Sequence, residues 1–228
     1  MQELFKLGVP QGTLEVTAET INPIMTDKDP QTLFVTYVSL YEPNPYLPPT
    51  VKVEVGVRSK IEPYAPCEVG SILYQEFPNE AYLEEPFIVK AVEPRKTFLE
   101  KAFLLHEEFQ KPSRDKIRVE RMSRHFYDLE KLMDTETCKA VLTGDGLYPA
   151  IVEHRSKYNK MSGIDYNSHH PDTIDFLPPE EFLEGYYKDY ATMREQMIYG
   201  DSLTPEELFG RIKELLERFR TIGKMAKG

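Results

Sequence analysis

The stretch Arg121-Met122-Ser123-Arg124-His125-Phe126-Tyr127-Asp128-Leu129 gathers two guanidiniums, an imidazole and a carboxylate. An arginine fork grips phosphate oxygens in bidentate fashion, and an aspartate can serve a hydroxyl or a metal. The same spacing of Arg124 and Asp128 also suits a plain exposed helix pair worth about 0.3–0.5 kcal/mol, so both readings stand. A second set lies upstream in Arg95-Lys96-Thr97-Phe98-Leu99-Glu100-Lys101, with His106 one turn further on. A helix lysine beside a cleft neutralises triphosphate charge as a point cation; the alternative is a solvated lysine. The third candidate is Glu54, an acid inside a run of alternating valines, which must face solvent, a cleft or a cation.

Two further patterns carry less. The histidines His106, His125, His154, His169 and His170 show no His-x-x-x-His spacing, so a histidine-based metal hydrolase does not follow from them. Asp27-Lys28-Asp29 has two acids one residue apart, as a magnesium-holding pair requires. Its central lysine and the following Pro30 nevertheless fit a turn better than a buried strand.

These residues need elements to position them. Leu33–Val38, Val51–Val57 and Phe87–Val92 are rich in β-branched and aromatic residues and read as strands. In the second, Val51, Val53, Val55 and Val57 share one face, leaving Lys52, Glu54 and Arg58 on the other. Prolines at 43, 45, 48, 49, 63, 66, 78, 86 and 94 punctuate this half. From Pro94 the apolar period changes from two to that of a helix. Phe98, Ala102, Leu105 and Phe109 predict a helix reaching about Phe109, with Lys101 off the stripe. Val119, Met122, Phe126, Leu129 and Met133 predict the next, with Arg121, Arg124, His125 and Asp128 on another face. Residues 156–178 read as an irregular connection. Phe182, Tyr186, Tyr190, Met193 and Met197 mark a helix ended by Gly200. Thr204-Pro205-Glu206-Glu207 then opens a last helix through a capping box, and Leu208, Ile212, Leu215, Leu216 and Phe219 form its buried face. The expected architecture is α+β, a β-rich part over 1–93 followed by a helical domain over 94–228.

Composition bounds the partners. The 228 residues carry 28 Lys plus Arg against 38 Asp plus Glu, a net charge of -10, so any attraction to nucleotide or RNA must come from a local cluster. Cys67 and Cys138 show no metal or disulfide framework and read as reduced thiols. No apolar run is long enough for a membrane span, and a cytoplasmic protein is expected.

The order of three motifs adds more than any one of them. Val51-Lys52-Val53-Glu54-Val55-Gly56-Val57-Arg58-Ser59, then Arg95 to Lys101 with Leu105-His106, then Ser123 to Leu129, resembles the later half of AbiEii/AbiGii-type nucleotidyltransferases of type IV toxin–antitoxin and abortive-infection systems. Asp189-Tyr190-Ala191-Thr192-Met193 and Met197-Ile198-Tyr199-Gly200 agree, and the likeness runs from about Thr32 to the C-terminus. The resemblance implies a partial nucleotidyltransferase-like mixed sheet ahead of the helical domain. It also implies magnesium-dependent transfer of a nucleotide from a nucleoside triphosphate to an acceptor, which in some members is tRNA, and an antitoxin partner. By motif, Lys101 looks like the catalytic or triphosphate-contacting lysine, Asp128 like a late base or orienter, and Glu54 like a metal-binding carboxylate. Arg58, Glu100, His106, Arg121, Arg124 and His125 look like nucleotide-binding or supporting residues. The family's opening Gly-Gly or Gly-Ser turn with Asp-x-Asp has no counterpart before residue 50, which implies an incomplete centre and no activity alone. A noncatalytic module on the same scaffold, binding nucleotide, RNA or antitoxin, is the alternative. An incomplete core would expose apolar surface, with which self-association is compatible.

Overall fold

Prolines at 48 and 49 bar a helix from running directly into the strand that follows them, and the strands on either side of this short connection pair antiparallel. The computed structural model describes residues 10–19, 31–42, 44, 46–56, 62–80, 83–142, 146–159 and 161–225. In it β1 (Leu14–Ala18), β2 (Gln31–Tyr37) and β3 (Thr50–Val55) form a sheet in that order, and β4 (Tyr64–Val69) pairs with β5 (Phe87–Val92). A short helix α1 (Ile72–Glu76) lies between β4 and β5. Every ladder among the described residues is antiparallel. The mixed sheet that the resemblance implied is therefore replaced there by two antiparallel ones.

Register decides which side chains share a face. Leu33 lies opposite Val53 and Val35 opposite both Val16 and Val51, so these valines and leucine form one apolar face. Phe34 opposite Lys52 and Thr32 opposite Glu54 put the polar set on the other face. The apolar face is open, with Val16, Leu33, Val51, Val53 and Val55 all exposed. The core lies elsewhere: apart from Tyr46, every buried apolar side chain among the described residues comes from position 98 onward.

That core is built by α2 (Pro94–Phe109), α3 (Ser123–Met133), α4 (Glu136–Leu142), α5 (Leu147–Tyr158), α6 (Glu180–Gln196) and α7 (Pro205–Met225). Phe98, Ala102 and Leu105 are fully buried, as the stripe predicts, but so are Leu99 and Phe103. Helix α2 is therefore central, buried on more than one side and packed against α3, α4 and α5. Phe126 on α3 meets Tyr186 at 5.6 Å and Phe209 at 4.9 Å between ring centroids, joining α3 to α6 and α7. Each fully buried side chain of this size contributes about 1.5–3 kcal/mol.

Helix ends follow local chemistry. Thr204 and Glu207 make the expected reciprocal cap, Glu207 N–H to Thr204 Oγ1 at 3.2 Å and Thr204 N–H to Glu207 Oε2 at 2.8 Å. Helix α6 stops at Gln196, short of Gly200. Helix α3 begins at Ser123, so Val119 and Met122 precede it rather than forming its first turn. The reason is Arg121, whose φ of 60° is left-handed and cannot continue a helix. Apolar periodicity does not announce α5, because it buries Ile151 together with the charged Arg155. No helix among the described residues is long and apolar enough to cross a membrane. Cys67 is exposed, Cys138 is buried, and both are free thiols.

Candidate functional site

Lys101 points away from the core of α2 and Asp128 away from that of α3. Because the two helices pack side by side, Lys101 Nζ and Asp128 Oδ2 meet at 2.5 Å. The pair is partly open, with the lysine side chain 21% and the aspartate 40% exposed. Asp128 thus pairs with Lys101, not with Arg124 as helix spacing alone allowed. Lys101 borders a cleft of about 610 Å³, together with Gly56 after β3, Glu100, His125 and Arg155. Burial, then the charges of Lys101, Arg124 and Arg118, push the His125 imidazole down to about 4, so it is neutral at physiological pH. Its Nδ1 has no hydrogen-bond partner among the described residues.

A second cleft of about 510 Å³ lies between the polar face of the sheet and the start of α3, lined by Lys52, Glu54, Arg118, Glu120, Arg121 and Arg124 among others. Arg124 and His125 are consecutive on α3 and so turn towards different clefts, which flank the same first turn of that helix. Two of the four cations are spoken for: Lys52 pairs with Glu54 at 2.8 Å, and Arg118 Nη2 reaches the buried Glu108 at 2.6 Å. Burial alone would raise the Glu108 carboxyl, but hydrogen bonds from Arg118 and Lys111 outweigh it and hold that group low. Arg121 stands over the Tyr46 ring, 4.8 Å from its centroid, a cation–π contact that leaves the charge unneutralised. Neither Arg121 nor Arg124 is paired with a carboxylate among the described residues. In a chain of charge -10, this is the kind of local basic cluster that anion binding requires.

Glu100 and His106 do other work. Arg155, nearly buried, donates Nε to Glu107 Oε1 at 2.8 Å and also bonds Glu100, tying α5 to α2. His169 Nε2 sits 3.1 Å from the same Glu107 oxygen. His106 lies fully inside, with Nδ1 2.9 Å from the Asp175 carbonyl and Nε2 2.9 Å from Ser168 Oγ. Burial pushes it down to about 4, and it lines neither cleft. Arg58 and Asp27-Lys28-Asp29, for which the sequence suggests a turn, lie outside the described residues.

Lys101 and Asp128 meet in space, while Glu54 lines the second cleft and not the one that Lys101 borders; the sequence reading passed over Lys52, Arg118, Tyr46, Arg155 and Asp189 as site residues. Asp189 accepts from the backbone N–H of Arg121 at 2.6 Å and of Ser123 at 2.9 Å. Its place in the motif near residue 190 was a signal; its target 66 residues away was not readable. The magnesium that the resemblance implied finds no complete ligand set among the described residues. Glu54 is already paired with Lys52, and no group of three acids, histidines or cysteines among the described residues could hold a metal.

No curated protein and no solved structure matches the chain. A family model does, and its range starts well ahead of Thr32, where the motif likeness begins. Matched over residues 4–222, the chain belongs to the family of the nucleotidyl transferase AbiEii toxin of type IV toxin–antitoxin systems.

Proposed function

We propose that the two clefts flanking the first turn of α3 bind a nucleoside triphosphate and serve transfer of its nucleotide to an acceptor. The observation that carries this is the Lys101–Asp128 contact of 2.5 Å between α2 and α3, together with Arg121 and Arg124 on the second cleft, neither paired with a carboxylate among the described residues. Phosphoryl-type transfer depends on alignment and on neutralising charge spread over phosphate oxygens, which these cations supply. Arg121 and Arg124 grip the polyphosphate, and Lys101 neutralises the transferred phosphate. Asp128 holds the lysine ammonium in place and is the group within reach to accept an acceptor hydroxyl proton. Neutral His125 shares the cleft with Lys101 and adds no competing charge there. The acceptor belongs to the tRNA class by family analogy, and an antitoxin is the partner that the family implies.

The absence of a Gly-Gly or Gly-Ser turn with Asp-x-Asp before residue 50 supports a centre that these 228 residues do not complete. Nucleotide is therefore bound but not transferred by this chain alone. Calorimetric titration with GTP and ATP at two salt concentrations tests the reading. Binding should weaken as salt rises, and Lys101→Ala should cost about 1–3 kcal/mol, the scale of hydrogen bonds to charged groups. No binding by the unmodified chain at millimolar nucleotide would move the reading to a noncatalytic module that contacts RNA or antitoxin.

A further inference from the structure

Arg121 is the one non-glycine residue with positive φ among those described, at 60°. A left-handed arginine persists only where its surroundings over-determine it, and such strain clusters at ligand clamps. Here the surroundings are a single face of α6. Gly185 lets the chain approach so closely that a Cβ placed there would stand 3.1 Å from Val119 Cγ1. One residue on, the buried Tyr186 donates its hydroxyl to the Arg118 carbonyl at 2.5 Å. One turn on from Gly185, Asp189 takes the N–H groups of Arg121 and Ser123 and also the Ser123 hydroxyl. Three contacts from one helix face thus hold the segment from Arg118 to Ser123, which carries Arg118 and Arg121 and leads directly into Arg124.

The carboxylate of Asp189 does not neutralise the Arg121 side chain. It bonds the backbone, while the guanidinium lies over the buried Tyr46 ring and Arg121 itself lines the cleft. Tyr46 is itself fixed from the same helix, since Asn44 Nδ2 donates to the Gln196 carbonyl at 3.1 Å and Asn44 Oδ1 accepts the Tyr46 N–H at 2.8 Å. Both the backbone of the arginine and the platform for its head are therefore set by α6.

We infer that Asp189 is a positioning residue that clamps Arg121 in its left-handed turn, so that the guanidinium is pre-aimed into the cleft to grip polyphosphate. This rests on the functional reading above. The fold carries the cost of the turn, and the cleft gains an arginine fork that need not be ordered when ligand arrives.

The test is a cycle of Arg121→Gly, Asp189→Asn and the double variant, each titrated with inorganic tripolyphosphate and unfolded in urea. Glycine adopts positive φ without penalty, so Arg121→Gly should unfold at an unchanged or higher urea midpoint while weakening tripolyphosphate at least about tenfold. Asp189→Asn should weaken binding several-fold under conditions where it is still folded, yet change nothing further in the Arg121→Gly background. Arg121→Lys should restore only part of the affinity, because a point charge lacks the fork. A lowered midpoint for Arg121→Gly overturns the strain argument. Weakened binding by Arg121→Gly with wild-type affinity in Asp189→Asn overturns the inference alone and leaves the functional reading standing. A wild-type chain that binds no tripolyphosphate overturns both.

Discussion

Replacing Arg155 by alanine removes the cation that Glu107 and Glu100 share, and the structure sets the size of the loss. The Arg155 side chain is 8% exposed and that of Glu107 2%, with Nη2 to Oε2 at 2.5 Å and a second bond from Nε at 2.8 Å. Breaking such a buried pair from one side costs about 3–5 kcal/mol, because the remaining charge is left without solvent or partner. Glu100, at 28% exposed, recovers water and adds little. The orphaned Glu107 then behaves oppositely to its present state. Burial would raise its carboxyl, but hydrogen bonds from Arg155 and His169 now hold it low. Without Arg155 its folded pKa rises above the unfolded one, so the lost stability is greatest at neutral pH and shrinks as pH falls into the carboxylate range. Urea unfolding followed by circular dichroism at pH 7 and pH 5 reads this, provided the slope is unchanged. Arg155→Met combined with Glu107→Gln should recover much of the loss. A cost under about 1 kcal/mol at pH 7, the scale of a surface pair, would refute the account of α2 and α5 as locked by a buried charge. Lys101 follows Glu100 on α2, so the same lock holds the proposed site.

His106 and His125 are both pushed down to about 4 by burial, from an ordinary 6.5, so the unfolded chain binds protons that the folded one refuses. Stability should fall as pH drops from about 6.5 to 4, by up to about 3 kcal/mol per histidine, and level off below; titration of the two imidazoles by nuclear magnetic resonance checks the assignment, and an ordinary midpoint for either removes its share. Thr204→Ala removes the acceptor for the Glu207 N–H and should lower stability by about 1 kcal/mol, read as a shifted urea midpoint; no shift would mean that the first turn of α7 is held by its packing alone.

Much of this architecture is legible in the chain. Apolar spacing at three and four residues marks α2, α6 and α7, and Pro94 and the Thr204–Glu207 box mark where two of them start, because burial and capping act over a few residues of sequence. Strand alternation likewise puts Lys52 and Glu54 on one face, and the structure pairs them. Tertiary structure alone decided how the site is assembled. The partner of Asp128 is 27 positions away on another helix, where helix spacing offered Arg124 at four. Arg121 looked like one more residue of a helix, but α6 folds over it, and Asp189 forces a left-handed turn that starts α3 two residues later. Arg155 and Glu107 are charged and would be read as solvent-facing, yet each makes the other's burial tolerable. Local patterns report the energy of a segment with its neighbours; a charge pair or a strained turn draws its energy from contacts made only once distant helices pack.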